Sequence, residues 1–265
     1  MEFKNWLIIE SSLKDLLEPV PQNPDHHEEG NVYKHTRMVR KSLDLAKSLL
    51  SKESNIKPFK DINFELNEKE EKMLKICAWL HDIGKASATT IDGKDWKLGG
   101  QGKIQAIGHD KPDHYLPMID KINPIARKML DNLSKNELDA VYFCIDNHMN
   151  LRDGSFSKRL MNNILNVDGN YKNETKIKLL LYLITMDWCG RISGNKGGVQ
   201  GGMSAIQGFK DSAKEFENKN KRTKTSIEDP IEFLKSLKGK PLNIINNAFK
   251  NKFKREISKE EMGYI

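Results

Sequence analysis

The stretch AWLHDIGKASATT, residues 78–90, closes an apolar run by setting His81 beside Asp82, with Gly84 and Lys85 following. A helix that only had to complete a core face would end on an apolar residue. Leu74, Cys77 and His81 fall in one helical row over about residues 67–82, and Gly84 is placed to stop that helix. An adjacent His-Asp pair carries little information alone. Its meaning depends on what the neighbouring helices bring to the same core.

Upstream, Val32, His35, Val39, Leu43, Ala46 and Leu50 recur at three- and four-residue spacing and share one helical face. Residues 1–17 predict a short amphipathic helix, followed by the proline-rich turn EPVPQNPDHHEEGN (18–31). SKESNIKPFKDINFELN (51–67) reads as a loop, and so does the glycine-rich TTIDGKDWKLGGQGKIQAIGHD (89–110), with room for a short hairpin. Pro112 suits the first turn of a further helix, which Pro117 is expected to break or kink. Ser134 and Glu137 have the spacing of a capping box, ahead of a face formed by Leu138, Val141, Ile145 and His148. Asn173 caps a helix that ends at Gly190, with Ile177, Leu180, Ile184 and Asp187 in one row. SGNKGGVQGGMSAIQG (193–208) reads as flexible, and the lysine-rich tail offers helices at 229–238 and 242–255. No internal repeat is present and β content is small. The fold class is all-α, with one domain over residues 1–208 and a basic helical extension over 209–265.

The 265 residues suffice for a sizeable core, and a charged fraction of 31% implies a heavily charged surface. A net charge of +7 suits an anionic partner such as a nucleotide or RNA, though lysine-rich proteins without such a role share it. Cys77, Cys144 and Cys189 lie in apolar helical contexts without CxxC spacing. That argues against a disulfide framework or a zinc-thiolate site and makes a reducing cytoplasm the expected location. The first twenty residues are too charged for a signal peptide. No stretch approaches the roughly 18 apolar residues of a membrane span, so no membrane partner is expected.

His35, His81, Asp82 and Asp187 therefore stand out as candidate ligands. Three of them, His35, His81 and Asp187, occupy otherwise apolar rows on three different helices. Burying an aspartate in such a row costs several kcal/mol unless it is paired or bound to a metal. Imidazole and carboxylate together suit a divalent transition metal or magnesium. His109 and His148 add two nitrogens from a loop and a fourth helix. Taken singly, each histidine reads as a core or surface residue, and Asp187 as a cap or a partner for Arg191. Taken together, that account needs several coincidences at once.

The order His, His-Asp, His, His, Asp resembles the HD superfamily of metal-dependent phosphohydrolases. It is most similar to the HD domain attached to bacterial tRNA nucleotidyltransferases (CCA-adding enzymes). PQNPDHHEEGNVYKHT looks like that branch's entry motif, CAWLHDIGKASATT like its His-Asp motif, and IGHD like its Gly-His-Glu, with Asp110 in place of glutamate. DNHMNLR and TMDWCGRISG resemble its later histidine and its Asp-x-x-Gly-Arg motif. The resemblance covers about residues 19–195. Fewer than 30 residues precede the entry motif, without a paired-carboxylate, glycine-rich head, so the chain looks like the HD module without the nucleotidyltransferase and is not expected to add CCA. Pro117 and the long loop before it also depart from the pattern, and the tail lies outside it.

The resemblance implies an HD-domain helical bundle holding a divalent metal (Mn, Ni, Mg, Co or Fe) on His35, His81, Asp82 and Asp187. His109 and His148 are expected to contact the phosphate, or to hold a possible second metal. Lys85 and Arg191, by motif position, become phosphate-binding and catalytic groups. Asp82 is a candidate general base, and His27 a candidate acid or substrate contact. His26 and His114 remain surface residues. The implied activity is hydrolysis of phosphomonoesters or 2′,3′-cyclic phosphodiesters of nucleotides or RNA ends. A (deoxy)nucleotidase or dNTP triphosphohydrolase on the same scaffold, a di-iron oxygenase and a non-catalytic nucleotide- or RNA-binding module are the alternatives.

Overall fold

The computed structural model describes residues 3–53, 59, 62–152, 155–165, 172–192, 197–225 and 230–263. The chain divides into two units, Met1–Lys214 and Glu215–Ile265, and is all-α apart from short β pairs.

In the first unit, the Asn173 side chain accepts the Lys176 N–H and starts α10 (Glu174–Gly190). Its apolar residues are not confined to the predicted row: Leu179, Leu181, Tyr182, Leu183 and Met186 are buried along with Ile177, Leu180 and Ile184. A helix that is apolar all round must be surrounded. Around it pack α2 (Val32–Lys41), α3 (Leu43–Leu50), α4 (Glu68–Leu80) and α8 (Lys135–Asn147). Each fully buried Leu or Ile on α10 contributes about 1.5–3 kcal/mol. Lys178 is buried on the same helix because it pairs with Glu70 at 2.7 Å and donates to the Glu65 carbonyl.

Local signals set the helix ends. Asn31 caps α2, and both Asn67–Glu70 and Ser134–Glu137 form reciprocal capping boxes. The row from Val32 to Leu50 is buried throughout, but it is carried by two helices rather than one. The break falls at Ser42, whose hydroxyl donates to the Met38 carbonyl at 2.9 Å and competes with the helical ladder. Helix α1 (Phe3–Leu17) lies against α7 (Pro124–Asp131), where the Asn123 N–H donates to Ser12 Oγ.

After α5 (Lys85–Ala88), the glycine-rich segment folds into β1 (Thr90–Ile91), β2 (Lys94–Asp95) and β3 (Ile104–Gln105), antiparallel in the order β2-β1-β3. Asp92 (φ 49°) and Gly93 (φ 78°) form the two-residue hairpin turn, which requires positive φ at both positions. Pro112 starts α6 (Pro112–Ile119) as expected, but Pro117 lies within the helix instead of breaking it. Pro117 and Asp113 are both exposed, so the carbonyl that loses its helical partner faces solvent. A short α9 (Lys158–Ile164), capped by Ser157, completes this part of the chain.

The glycine-rich stretch at 193–208 is corrected as well. Residues 193–196 lie outside the described residues, but from Gly198 the chain is helical as α11 (Gly198–Thr225). A Cβ at Gly202 would lie 2.5 Å from Cys189 Sγ and 2.6 Å from Leu49 Cδ1. This glycine is a close-packing position, not a source of flexibility. The predicted boundary at residue 208 falls inside α11, where the fully buried Phe209 packs against Phe59 and meets Phe156 edge to face. The second unit contains α12 (Pro230–Ser236), α13 (Leu242–Phe253) and α14 (Lys259–Met262), with a small core of Leu234, Ile245 and Phe249. Among the described residues, no helix is long and apolar enough to cross a membrane.

Gly190 brings the end of α10 onto α2. A Cβ there would stand 2.6 Å from Val39 N and 2.8 Å from Val39 Cα, and backbone cannot yield as a side chain can. We expect Gly190→Ala to cost about 1–3 kcal/mol, as overpacking does, and to lower Tm by several °C in a thermal scan. An unchanged Tm would show that the two helices are not in close contact.

Candidate metal centre

Each candidate ligand sits where a helix meets another or ends. His35 is in the first turns of α2, His81 and His148 cap the C-termini of α4 and α8, and Asp187 lies one turn before the end of α10. His109 comes from the turn before α6. Gly84 makes that placement possible, because a Cβ at residue 84 would overlap the His109 carbonyl.

Three imidazoles share one local geometry. Nδ1 of His81, His109 and His148 lies 3.0, 2.7 and 2.7 Å from the carbonyl three residues earlier, at Ala78, Ala106 and Ile145. Carbonyls near a helix C-terminus lack helical partners, which is why His81 and His148 are held this way; His109 makes the same contact from a turn. A carbonyl only accepts, so Nδ1 carries the proton in each ring and Nε2 of the neutral ring carries a lone pair. Burial pushes His81 down to about 3 and lowers His109, which keeps both rings neutral.

These Nε2 atoms converge on Asp82. Oδ1 of Asp82 lies 3.1 Å from His109 Nε2 and 3.6 Å from His148 Nε2, and the two Nε2 atoms are 3.3 Å apart. Oδ2 lies 3.5 Å from His81 Nε2 and 3.6 Å from His35 Nε2. Asp82 is 2% exposed, and Asp187 Oδ1 reaches the same cluster at 2.9 Å from His35 Nε2 and 3.9 Å from His81 Nε2. Burial raises both carboxyls, but Lys85 beside Asp82 and Arg191 beside Asp187, together with the imidazoles, hold both well below the usual carboxylate range. Ionised oxygens therefore face the lone pairs of His81, His109 and His148 in a buried site, and His81 Nε2 has no hydrogen-bond partner among the described residues. Such an arrangement is repulsive until positive charge stands between the groups. The donor set, imidazole nitrogens with carboxylate oxygens, fits a divalent cation.

His35 differs. Its Nε2 contacts Asp187, and its Nδ1 lies 2.8 Å from Glu29 Oε1, close but not aligned as a hydrogen bond. Burial pulls its pKa down, and the two carboxylates outweigh that and raise it. Burial also pushes Glu29 up, but His27 and His35 hold it below the ordinary range. His27 donates through Nδ1 to the same Glu29 oxygen at 2.8 Å, while burial pushes its own pKa down to about 4.

A cleft of about 520 Å³ opens here, lined by His27, Asp82, Lys85, His109, Asp187 and Arg191 among others. His35, His81 and His148 stand behind that lining, 0%, 0% and 2% exposed. Lys85 Nζ contacts Asp82 Oδ2 at 2.7 Å, as an ion pair without hydrogen-bond alignment, and donates to Gln22 Oε1 at 2.8 Å. Arg191 Nη2 donates to Asp187 Oδ2 at 2.5 Å, and its guanidinium lies 5.1 Å from the Trp188 ring. Every ligand, phosphate-contact and catalytic candidate from the sequence is thus brought to one place. His26 is exposed at the cleft, and His114 contacts Ser87.

Two residues escaped sequence reasoning. Glu29 stood inside the quoted entry motif, and Gly30 with φ 91° supplies the turn that sends it inward. Gln22 had no signal of its own, since its position depends on pairing with Gly30 and Asn31 across the turn. Comparison with protein-family models, curated proteins and solved structures finds no match for the chain.

Proposed function

We propose that the chain is a metal-dependent phosphohydrolase of the HD type, acting on phosphomonoesters or 2′,3′-cyclic phosphodiesters of nucleotides or RNA ends. The observation that carries this reading is Asp82, a buried carboxylate whose two oxygens face two separate imidazole pairs. His35, His81, Asp82 and Asp187 would hold one divalent cation, and His109, His148 and the other Asp82 oxygen a second. Bound there, such cations lower the pKa of water and polarise a phosphoryl group.

The chain's own cations supply the rest. Phosphoryl transfer depends mainly on positioning and charge neutralisation. Lys85 and Arg191 line the cleft, and Arg191 commits Nη2 to Asp187. A guanidinium carries several further N–H groups, which suit a phosphate oxygen. Three buried thiols without a disulfide support a reducing, cytoplasmic setting.

The test is a screen of metal-free protein reconstituted singly with Mn, Ni, Mg, Co or Fe. Nucleoside monophosphates, 2′,3′-cyclic nucleotides and dNTPs are offered, and released phosphate is separated from released triphosphate. Metal-dependent phosphate release is expected. Release of triphosphate would favour the dNTP alternative, and no hydrolysis with any metal would overturn the reading. We further expect Arg191→Ala to lower kcat/KM by about 10–100-fold, the worth of a charge-assisted hydrogen bond of roughly 1.5–3 kcal/mol. Metal content by elemental analysis should not change. Loss of metal would assign Arg191 to the support of Asp187 instead of the phosphate.

A further inference from the structure

Glu29 is the most connected side chain of the site that the proposed chemistry does not use. Its side chain is 1% exposed, on a turn rather than in a helix. Oε1 lies 2.8 Å from Nδ1 of both His27 and His35, and Oε2 accepts the Ile192 N–H at 3.2 Å. The neighbouring Glu28 N–H donates to the Ile192 carbonyl at 2.7 Å, so this turn is tied to the chain just beyond Arg191. One carboxylate therefore touches a ligand histidine, a cleft histidine and the backbone next to the phosphate-binding arginine.

The consequence for His27 follows from its two nitrogens. A carboxylate oxygen only accepts, so the bonded Nδ1 carries the proton and Nε2 of the neutral ring is an acceptor. Phosphate oxygens are acceptors too, so this nitrogen does not match the phosphate itself. It matches a donor beside the phosphate. Other side-chain oxygens on the same segment are already used: Gln22 Oε1 accepts from Lys85 and Asn23 Oδ1 from the Asp25 N–H. His27 lines the cleft with Lys85 and Arg191, and its ring centroid is 4.7 Å from that of His35.

We propose that Glu29 is a positioning residue for two imidazoles at once, and that the His27 it orients accepts a hydrogen bond from a sugar hydroxyl next to the phosphate of a ribonucleotide substrate. Of the two roles expected from the sequence, acid or substrate contact, His27 then takes the second. The hydroxyl contact rests on the phosphohydrolase reading, whereas the role of Glu29 does not.

Three measurements on the full chain test this. In metal-free wild type, imidazole nitrogen NMR should show His27 as the Nδ1–H form, and in Glu29→Ala that preference should disappear. Manganese affinity by calorimetry should fall about 10–100-fold in Glu29→Ala, as for other partners that orient metal-binding histidines. If Glu29→Ala does not fold by circular dichroism, Glu29→Gln replaces it, with an intermediate loss of affinity expected because its amide oxygen accepts more weakly. An unchanged tautomer together with unchanged affinity overturns the assignment of Glu29. The third measurement compares adenosine 3′-phosphate with its 2′-deoxy counterpart, as kcat/KM where phosphate is released and as Kd where it is not. Wild type should favour the ribose by about tenfold, the worth of one hydrogen bond. His27→Phe should bring the ratio near unity with metal content intact. The same ratio in both proteins overturns the hydroxyl contact. Absence of phosphate release with a preserved binding preference would instead count against the hydrolase reading alone.

Discussion

Asp82→Asn is expected to lose both cations and at least about 10³-fold in phosphate release while retaining the helical fold. A bound cation contributes several kcal/mol of charge stabilisation to phosphoryl chemistry, and each 1.36 kcal/mol is a factor of ten. Asparagine keeps the volume of aspartate at a position that is 2% exposed, so no cavity opens. It removes the negative charge from which both halves of the centre are built, since Oδ1 faces His109 and His148 and Oδ2 faces His35 and His81. Lys85, 8% exposed, loses its ionic partner but keeps a hydrogen bond to Gln22 at 2.8 Å at the edge of the cleft. Elemental analysis, far-ultraviolet circular dichroism and phosphate release check the three parts. Wild-type metal content with a wild-type rate would end the metal-centre reading.

The second large effect concerns metal number. Manganese titration of metal-free wild type by calorimetry should resolve two sites, and His109→Ala combined with His148→Ala should leave one. From sequence, these histidines were expected to contact phosphate beside a single metal. The geometry favours a second cation, because their Nε2 atoms lie 3.3 Å apart and both face Asp82 Oδ1, while both Nδ1 atoms are committed to carbonyls. Protonated rings would suit a phosphate, but burial lowers His109 and opposes that charge. Activity should fall with the second site, and His35, His81 and Asp187 should still bind one ion. A single tight site in wild type that survives the double substitution would return these histidines to the phosphate.

The helix ends were legible because capping is local. Asn173 and Ser134 with Glu137 act within a turn of their own positions, so spacing alone placed the starts of α10 and α8. Gly84 does not stop α4, which ends at Leu80 with His81 as its cap; with φ −64° it precedes α5 and leaves room for the His109 carbonyl. Glycine misled from Gly198 onward, because Gly202 in a helix and a glycine in a loop look alike until the neighbour that excludes a Cβ is known. Ser42 misled in the opposite sense, since a hydroxyl that bonds to a carbonyl four residues back leaves no trace in hydrophobic periodicity.

For the site, the sequence by itself determined which side chains must be explained. His35, His81 and Asp187 stand in apolar rows, and burying such groups is costly in any fold. It could not determine how they are shared. That Asp82 divides its oxygens between two imidazole pairs depends on four helices crossing at one point, and His35 meets Asp187 across 152 residues of chain. That Glu29 turns inward depends on Gly30 beside it and on Ile192, which becomes its neighbour only after packing. Side-chain type and spacing fix which charges are costly to bury, whereas the direction of each lone pair is set by distant partners, and only the tertiary structure brings those partners together.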